Sequence, residues 1–483
     1  MRESPRLLNH PDAARLPRAL FRDLQMDSII SEAAIAVLQI PCDRPEILRR
    51  EEFFALLQDQ EKRERVKHIL SVLTDLERSL MLLRDAKIPL DMYHRRRDAF
   101  RMYVRACERL TSASDLGSLF GDVAAYYSSV EKQHTVSRMK EACREVKEHL
   151  HRFKMGLLSF SDKNWLTPDY DAVSEADRIA ICACKLGFIM PERKQRNDKI
   201  SLALSDAMCS LYGEEVSEIE TLFREFADVD LKEPLLYIAE IRFFLEIYEL
   251  TQKAESAGIP HCFPEVADRP QFTAEDLYDV SLLAKQCERI VPNDADFTQA
   301  EPFCFLVGAN GGGKTTYLRA IGINLVLFLS GCPVFAKKAI LYPFQIVSAH
   351  FPKDERFDHV GRLDEERART DEMLRQSAGQ DAFLLFNETY SGADDTRGFA
   401  LLKELAARIS TAKHFGVYVT HFHTVMTLNY PVLSAEIDPA DENKRTYRIV
   451  KSKGNASSYA ADILKKYGLD KDSLRERRDG YGK

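Results

Sequence analysis

Gly308-Ala309-Asn310-Gly311-Gly312-Gly313-Lys314-Thr315 decides how the chain is read, because it fits the pattern Gly-x4-Gly-Lys-Ser/Thr. The apolar run Phe303-Cys304-Phe305-Leu306-Val307 precedes it directly, and a helix-like pattern from Tyr317 to Leu329 follows. Strand, glycine-rich loop and helix in that order are the setting a phosphate-binding loop requires. The glycines let backbone N–H groups converge on phosphate oxygens with no Cβ in the way. The helix N-terminus adds partial positive charge. Lys314 is expected to reach the β- and γ-phosphates, and the Thr315 hydroxyl to ligate Mg2+.

Such a loop needs a second metal-side group and a water activator. Phe383-Leu384-Leu385-Phe386-Asn387-Glu388 supplies both: four apolar residues for a buried strand, then polar groups at its C-terminal end, where doubly wound sheets bind ligands. Glu388 is the expected general base. Asn387 stands at the metal-side position; it can bond a metal-bound water but lacks the charge an Asp would have there. Ser391-Gly392-Ala393-Asp394-Asp395 reads as a turn. A third strand-like run, Phe415 to Val419, ends in Thr420-His421, and His421 is placed to sense a γ-phosphate by hydrogen bonding.

Upstream, residues 1–25 read as a loose lead-in, without the apolar core of a secretory signal. Residues 26–259 read as helical. Pro41 and Pro45 separate a first helix from Glu46–Leu57, and Arg63–Arg84 and Asp91–Leu110 follow. The last of these carries His94-Arg95-Arg96-Arg97, then Arg101 and Arg105, which is either a solvated helix face or a phosphate contact. Val136, Met139, Cys143, Val146, Leu150, Phe153 and Leu157 step by 3, 4, 3, 4, 3, 4, a single apolar seam on a long helix. A helix with Val216, Ile219, Leu222, Phe223 and Phe226 is expected to pack against it antiparallel. Between them, residues 157–170 with the sole tryptophan, Trp165, read as a short hairpin or loop, either a small hydrophobic cap or a contact surface. From Pro260 the texture changes to alternating strands and helices through residue 470, with strand-like runs at 345–348, 382–386 and 415–419 and a last pair near Ile437 and 447–450. A small helix at 458–467 and a charged tail at 471–483 end the chain.

The order of phosphate loop, acidic strand end and strand-ending His resembles the ABC-type ATPases, and detail narrows the resemblance. Gly308–Thr315 with Thr316 is similar to the Gly-Pro-Asn-x-Gly-Gly-Lys-Ser/Thr-Thr loop of the MutS mismatch-repair family. Ser330-Gly331-Cys332-Pro333-Val334-Phe335-Ala336 resembles that family's G-x-x-V-P-A turn with Pro and Val reversed, and Thr420-His421-Phe422 matches its Thr-His-aromatic step. Ser457-Ser458-Tyr459-Ala460 resembles its C-terminal helix entry without the Gly. The resemblance implies a helical core and lever domain followed by an α/β P-loop ATPase domain of ABC type with a mostly parallel sheet. It implies ATP and Mg2+ as cofactors, a homodimeric clamp on double-stranded DNA driven by ATP hydrolysis, and a nucleotide shared between two subunits. By the same pattern, Pro292 and Asn293 are placed on the adenine side. The family's Ser-Thr-Phe-x-x-Glu signature is replaced here by Gly361-Arg362-Leu363-Asp364-Glu365-Glu366, so the Gly361 N–H or the Arg362 guanidinium is left to reach across the dimer. A helical core beginning near residue 23 leaves no room for mismatch-reading domains, so a shortened member is expected. It would act in mismatch repair, on branched DNA, RNA or a protein partner, or as a nucleotide-binding scaffold with little hydrolysis.

Composition is consistent with a folded protein of about two to four domains: 483 residues, 45% hydrophobic and 30% charged. No apolar run is long enough to cross a bilayer. Ten scattered cysteines with no C-x-x-C pair read as reduced thiols, hence a cytoplasmic location. The net charge of −7 excludes a surface basic all over but not a local basic face.

Overall fold

The computed structural model describes residues 4–8, 15–160, 205–206, 209–285, 287, 289–352, 359–391, 395–438 and 441–452. The readings around Trp165, at 457–467 and in the tail lie outside them. The chain divides into two units, Met1–Leu8 with Ala55–Arg242, and Asn9–Phe54 with Phe243–Lys483. They are described in turn.

The first unit is helical. Asp59 caps α4 (Gln60–Asp85) by accepting from the N–H groups of Glu61 and Lys62, at 2.8 and 3.2 Å. Its buried stripe is Val66, Ile69, Val72, Leu73 and Leu76, the 3/4 spacing visible in sequence. Pro89 opens α5 (Pro89–Thr111), where a missing N–H costs nothing. After α6 (Ser118–Tyr127), the seam helix α7 runs from Val130 to Phe160 with Val136, Met139, Val146 and Leu150 buried. Residues 157–160, expected to start a hairpin, are instead helical, within α7. The next helix, α8 (Gly213–Arg224), packs antiparallel to α7, as expected. Arg138 Nη2 bonds Glu225 Oε1 at 2.9 Å and, further along α7, His149 Nδ1 meets the earlier residue Glu218 at 3.1 Å.

The second unit holds the glycine-rich loop. Its N-terminal contribution is α1 (Arg18–Asp23), α2 (Glu32–Leu38) and α3 (Arg44–Leu56). Leu20, Phe21 and Leu24 are buried, so the lead-in expectation fails over these residues; their apolar partners come from distant sequence. After α9 (Leu236–Ser256) come two sheets. One has the order β1-β5-β2-β3, from β1 (Glu265–Val266), β2 (Phe272–Leu277), β3 (Asn293–Phe297) and β5 (Lys338–Leu341). It is mixed, with β1 and β5 parallel and β2 antiparallel to both β3 and β5. The other has the order β10-β9-β4-β8-β7-β6, from β4 (Phe303–Val307), β6 (Ile346–His350), β7 (Ala382–Asn387), β8 (Phe415–Val419), β9 (Val432–Asp438) and β10 (Asp441–Lys451). Every pair in it is parallel except β9 with β10. Strands β4 and β8 are buried at every residue, which is why they read as unbroken apolar runs rather than alternating ones.

Helix α10 (Lys314–Leu329) is buried along almost its whole length. Its one interior amide, Asn324, is satisfied by donating to Tyr278 O and Ala320 O and accepting from Phe335 N–H. Gly331, at φ 67°, ends it: Gly331 N–H bonds Phe328 O and Cys332 N–H bonds Leu327 O, a Schellman turn. Helices α11 (His359–Gln376) and α12 (Asp395–Thr411) complete the unit. No disulfide joins Cys42, Cys107, Cys304 or Cys332. Among the described residues no helix is long and apolar enough to cross a membrane.

Candidate functional site

Three segments singled out in sequence converge because β8 lies between β4 and β7 with all three parallel. Val419 pairs with Leu306 on one side and with Asn387 on the other. Glu388 N–H donates to Val419 O at 2.9 Å, and Thr420 N–H to Leu306 O at 3.0 Å. The glycine-rich loop, Asn387-Glu388 and Thr420-His421 thus leave one edge of the sheet side by side.

The loop is shaped by its glycines. Gly308, Gly311 and Gly313 have φ of 131°, 74° and 92°, conformations that a side chain resists. A Cβ on Gly308 or Gly312 would sit 2.8 or 2.9 Å from the Ala435 methyl, so β9 walls the loop closely. Lys314 is 5% exposed and turns back over the loop, donating to Gly308 O at 2.8 Å and Ala309 O at 3.1 Å, with Asn310 Oδ1 at 3.5 Å. Burial pushes its ammonium below the ordinary value; the nearby charge of Glu388 opposes this and that of Arg445 adds to it. No side chain caps the N-terminus of α10, so the first N–H groups, those of Lys314, Thr315 and Thr316, have no partner within the helix.

Thr315 Oγ1 donates to Asn387 Oδ1 at 3.1 Å, joining the loop to the end of β7. Glu388 is in the left-handed region at φ 49°, as is Tyr390 at 66°. Such conformations persist where surroundings over-determine them, and here they do. Thr389 Oγ1 bonds His350 Nδ1 at 2.9 Å, Tyr418 Oη donates to Thr389 O at 2.5 Å, and Tyr390 N–H donates to buried Glu366 at 2.8 Å. Thr370 Oγ1 and Tyr390 Oη add a bond of 2.7 Å. Glu366 and Thr370 both lie on α11, whose first turn contains Gly361, so α11 is fastened to the turn that carries Glu388.

His421 is exposed at the end of β8. Its neighbour His423 is held below the ordinary imidazole range by burial, then by the charges of His421 and Lys314. Asn293, placed on the adenine side by the resemblance, opens β3. Its amide donates to Tyr447 O at 3.0 Å and accepts from Ile449 N–H at 2.7 Å, stitching β3 to β10. Tyr447 is the residue sequence reading missed: half-exposed, it stands within 3.7 Å of where a Gly313 Cβ would be. Its only sequence signal was an aromatic in a polar edge strand. No cluster of three or more His, Cys, Asp or Glu able to hold a metal occurs among the described residues.

These features define an α/β domain built on a strand, a glycine-rich loop and a buried helix, with an acidic and a histidine-bearing strand end beside the loop. Residues 304–477 match the family model for MutS domain V. Over this region the chain resembles proteins of the MutS family. It is 24% identical to the DNA mismatch repair protein MutS of Bacillus licheniformis over 253 residues, 50% of this chain and 27% of that one. To the DNA mismatch repair protein MSH6 of Saccharomyces cerevisiae it is 22% identical over 438 residues, 77% of this chain and 34% of that one. To the endonuclease MutS2 of Thermotoga petrophila it is 26% identical over 198 residues, 40% of this chain and 26% of that one. The matches therefore span only 26% to 34% of the length of these relatives.

Proposed function

We propose that the chain is a DNA-associated ATPase of the MutS type. The observation that carries this reading is the convergence of Lys314, Thr315, Asn387, Glu388 and His421 at adjacent ends of β4, β7 and β8. A nucleoside triphosphate would lie in the open space beside Gly311, where the loop backbone carries no Cβ. Lys314 exchanges its carbonyl partners for phosphate oxygens, and the free N–H groups of the first turn of α10 join it. Thr315 and Asn387, already 3.1 Å apart, would hold Mg2+ directly and through water, and the ion would neutralise phosphate charge. Glu388 takes the proton of the attacking water, and His421 donates a hydrogen bond towards the γ-phosphate.

The same reading makes the working unit a homodimer in which the α11 N-terminus, with Gly361, faces the partner's nucleotide. The Glu366–Tyr390 and Thr370–Tyr390 bonds would pass a change at Glu388 to that helix. Duplex DNA is the proposed substrate, in mismatch repair or a related transaction such as handling of branched DNA. One observation favours a second reading, a nucleotide-binding scaffold with little hydrolysis: Asn387 is a neutral amide at the metal-side position.

Lys314→Met keeps the stem and removes the charged donor. Charge-assisted hydrogen bonds contribute about 1.5–3 kcal/mol, so ATP affinity measured by calorimetry is expected to fall about 10- to 160-fold. An affinity within a factor of about two of the wild type removes the phosphate-loop reading.

A further inference from the structure

Helix α5 carries Arg97, Arg101, Arg105 and Arg109 at successive intervals of four, so all four lie along one face. Helix α7 carries Lys140, Arg144 and Lys147 on the face turned towards them. Together these seven cations line a groove of about 700 Å³ floored by Val104 and Cys143. Glu108 is the one carboxylate among the lining residues, and Lys140 neutralises it at 2.7 Å. Arg97 is held by Asp98 at 2.9 Å, whereas Arg105, Arg109, Arg144 and Lys147 have no carboxylate within 4 Å among the described residues.

Like charges four apart destabilise a helix, and this stripe persists in a chain whose net charge is −7. The neighbouring run is employed otherwise: Arg95 pairs with Asp91, and Arg96 lies 5.0 Å over the Phe223 ring. The cationic face is thus selective rather than a by-product of a basic segment. From Arg97 to Arg109 the stripe extends about 18 Å along the helix, which matches about five successive phosphates of one DNA strand and far exceeds a single phosphate.

We propose that the groove between α5 and α7 binds the phosphate backbone of duplex DNA without reading its sequence. This rests on the DNA-associated reading above and assigns that contact to the helical unit. The four cations without carboxylate partners displace counterions from the DNA, and Val104 and Cys143 leave the floor uncharged, so no polar group is desolvated beneath the backbone.

The test uses the full chain and a 20-base-pair duplex, with binding followed across a salt series for the wild type, Arg105→Gln/Arg109→Gln/Arg144→Gln, the same three positions changed to Lys, and a control, Lys67→Gln/Arg78→Gln/Arg84→Gln on α4. Loss of three phosphate contacts is expected to flatten the slope of log K against log salt by up to about 2.7, with affinity at about 50 mM salt down by up to about three orders of magnitude. The Lys triple and the control should keep the wild-type slope, and all four proteins the same melting temperature. A Gln triple that binds with the wild-type slope overturns the groove assignment while leaving DNA association standing. Wild-type protein that binds no duplex overturns both. A Lys triple as weak as the Gln triple, or groove-dependent binding of polyglutamate without binding of DNA, also overturns the assignment.

Discussion

Gly416 offers the sharpest link between the sheet and the site. It pairs with Leu384 across β7 and β8, and a methyl group placed on it would sit 2.1 Å from Leu384 O and 3.0 Å from Leu384 C. An ordinary carbon-to-carbonyl-oxygen contact is about 3.3 Å or more. The Gly416→Ala chain must therefore open the two strands by about 1.2 Å at that point. Ladder bonds near 2.9 Å would stretch beyond bonding range. Losing two of them is worth about 2 kcal/mol, and the overpacking itself costs about 1–3 kcal/mol. A destabilisation of about 3–5 kcal/mol should lower the melting temperature of a unit this size by roughly 10 °C, read by differential scanning fluorimetry. Because β7 and β8 end in Glu388 and His421, the variant should also lose ATP turnover at temperatures where it remains folded. Gly311→Ala, which has open space beside it, pays only the left-handed φ of 74° and serves as the mild control for the melting temperature alone. A Gly416→Ala protein melting within about 2 °C of the wild type would refute the strand-contact argument.

Two further outcomes follow from buried charge. Burial raises the Glu51 carboxyl to about 7 from an ordinary 4.5, and its Oε1 has no hydrogen-bond partner among the described residues. A folded-state value above the unfolded one means stability present below pH 4.5 and lost as pH rises towards 7; Glu51→Gln should therefore be about 3 kcal/mol more stable than the wild type at pH 8 and no more stable at pH 4.5, by chemical denaturation. Arg50 is fully buried, bonding Glu46 Oε1 at 2.7 Å and Ser330 O at 3.2 Å; Arg50→Ala should cost about 3 kcal/mol or more by strong perturbation of a buried pair, with Arg50→Lys recovering only part, since an ammonium cannot span both partners.

The central parallel sheet was legible in sequence because β4, β7 and β8 are buried on both faces, and Phe303–Val307, Ala382–Phe386 and Phe415–Val419 show it as apolar runs. The α7 seam was legible because a single face is buried from Val136 to Leu150, about four turns. The four-stranded sheet was not. Asn293-Asp294-Ala295-Asp296-Phe297 buries only Ala295 and Phe297, and β1 has two residues, too few for a period. Burial of Leu20 and Phe21 depends on residues hundreds of positions later. At the site, Lys314, Thr315 and Glu388 announce themselves by motif, whereas Tyr447 and Ala435 are placed only by how β9 and β10 return past the loop. The Asn293 amide is occupied by β10, a pairing no local sequence encodes.

The claim that the three strand ends form a working nucleotide site is tested most directly by steady-state ATP turnover with Mg2+, comparing the wild type with Glu388→Gln. The wild type should hydrolyse ATP, and the variant should still bind it while turning over about 100-fold more slowly or worse, the range of a lost general base. A wild type that binds no ATP, or a Glu388→Gln protein that hydrolyses it at the wild-type rate, would contradict the assignment.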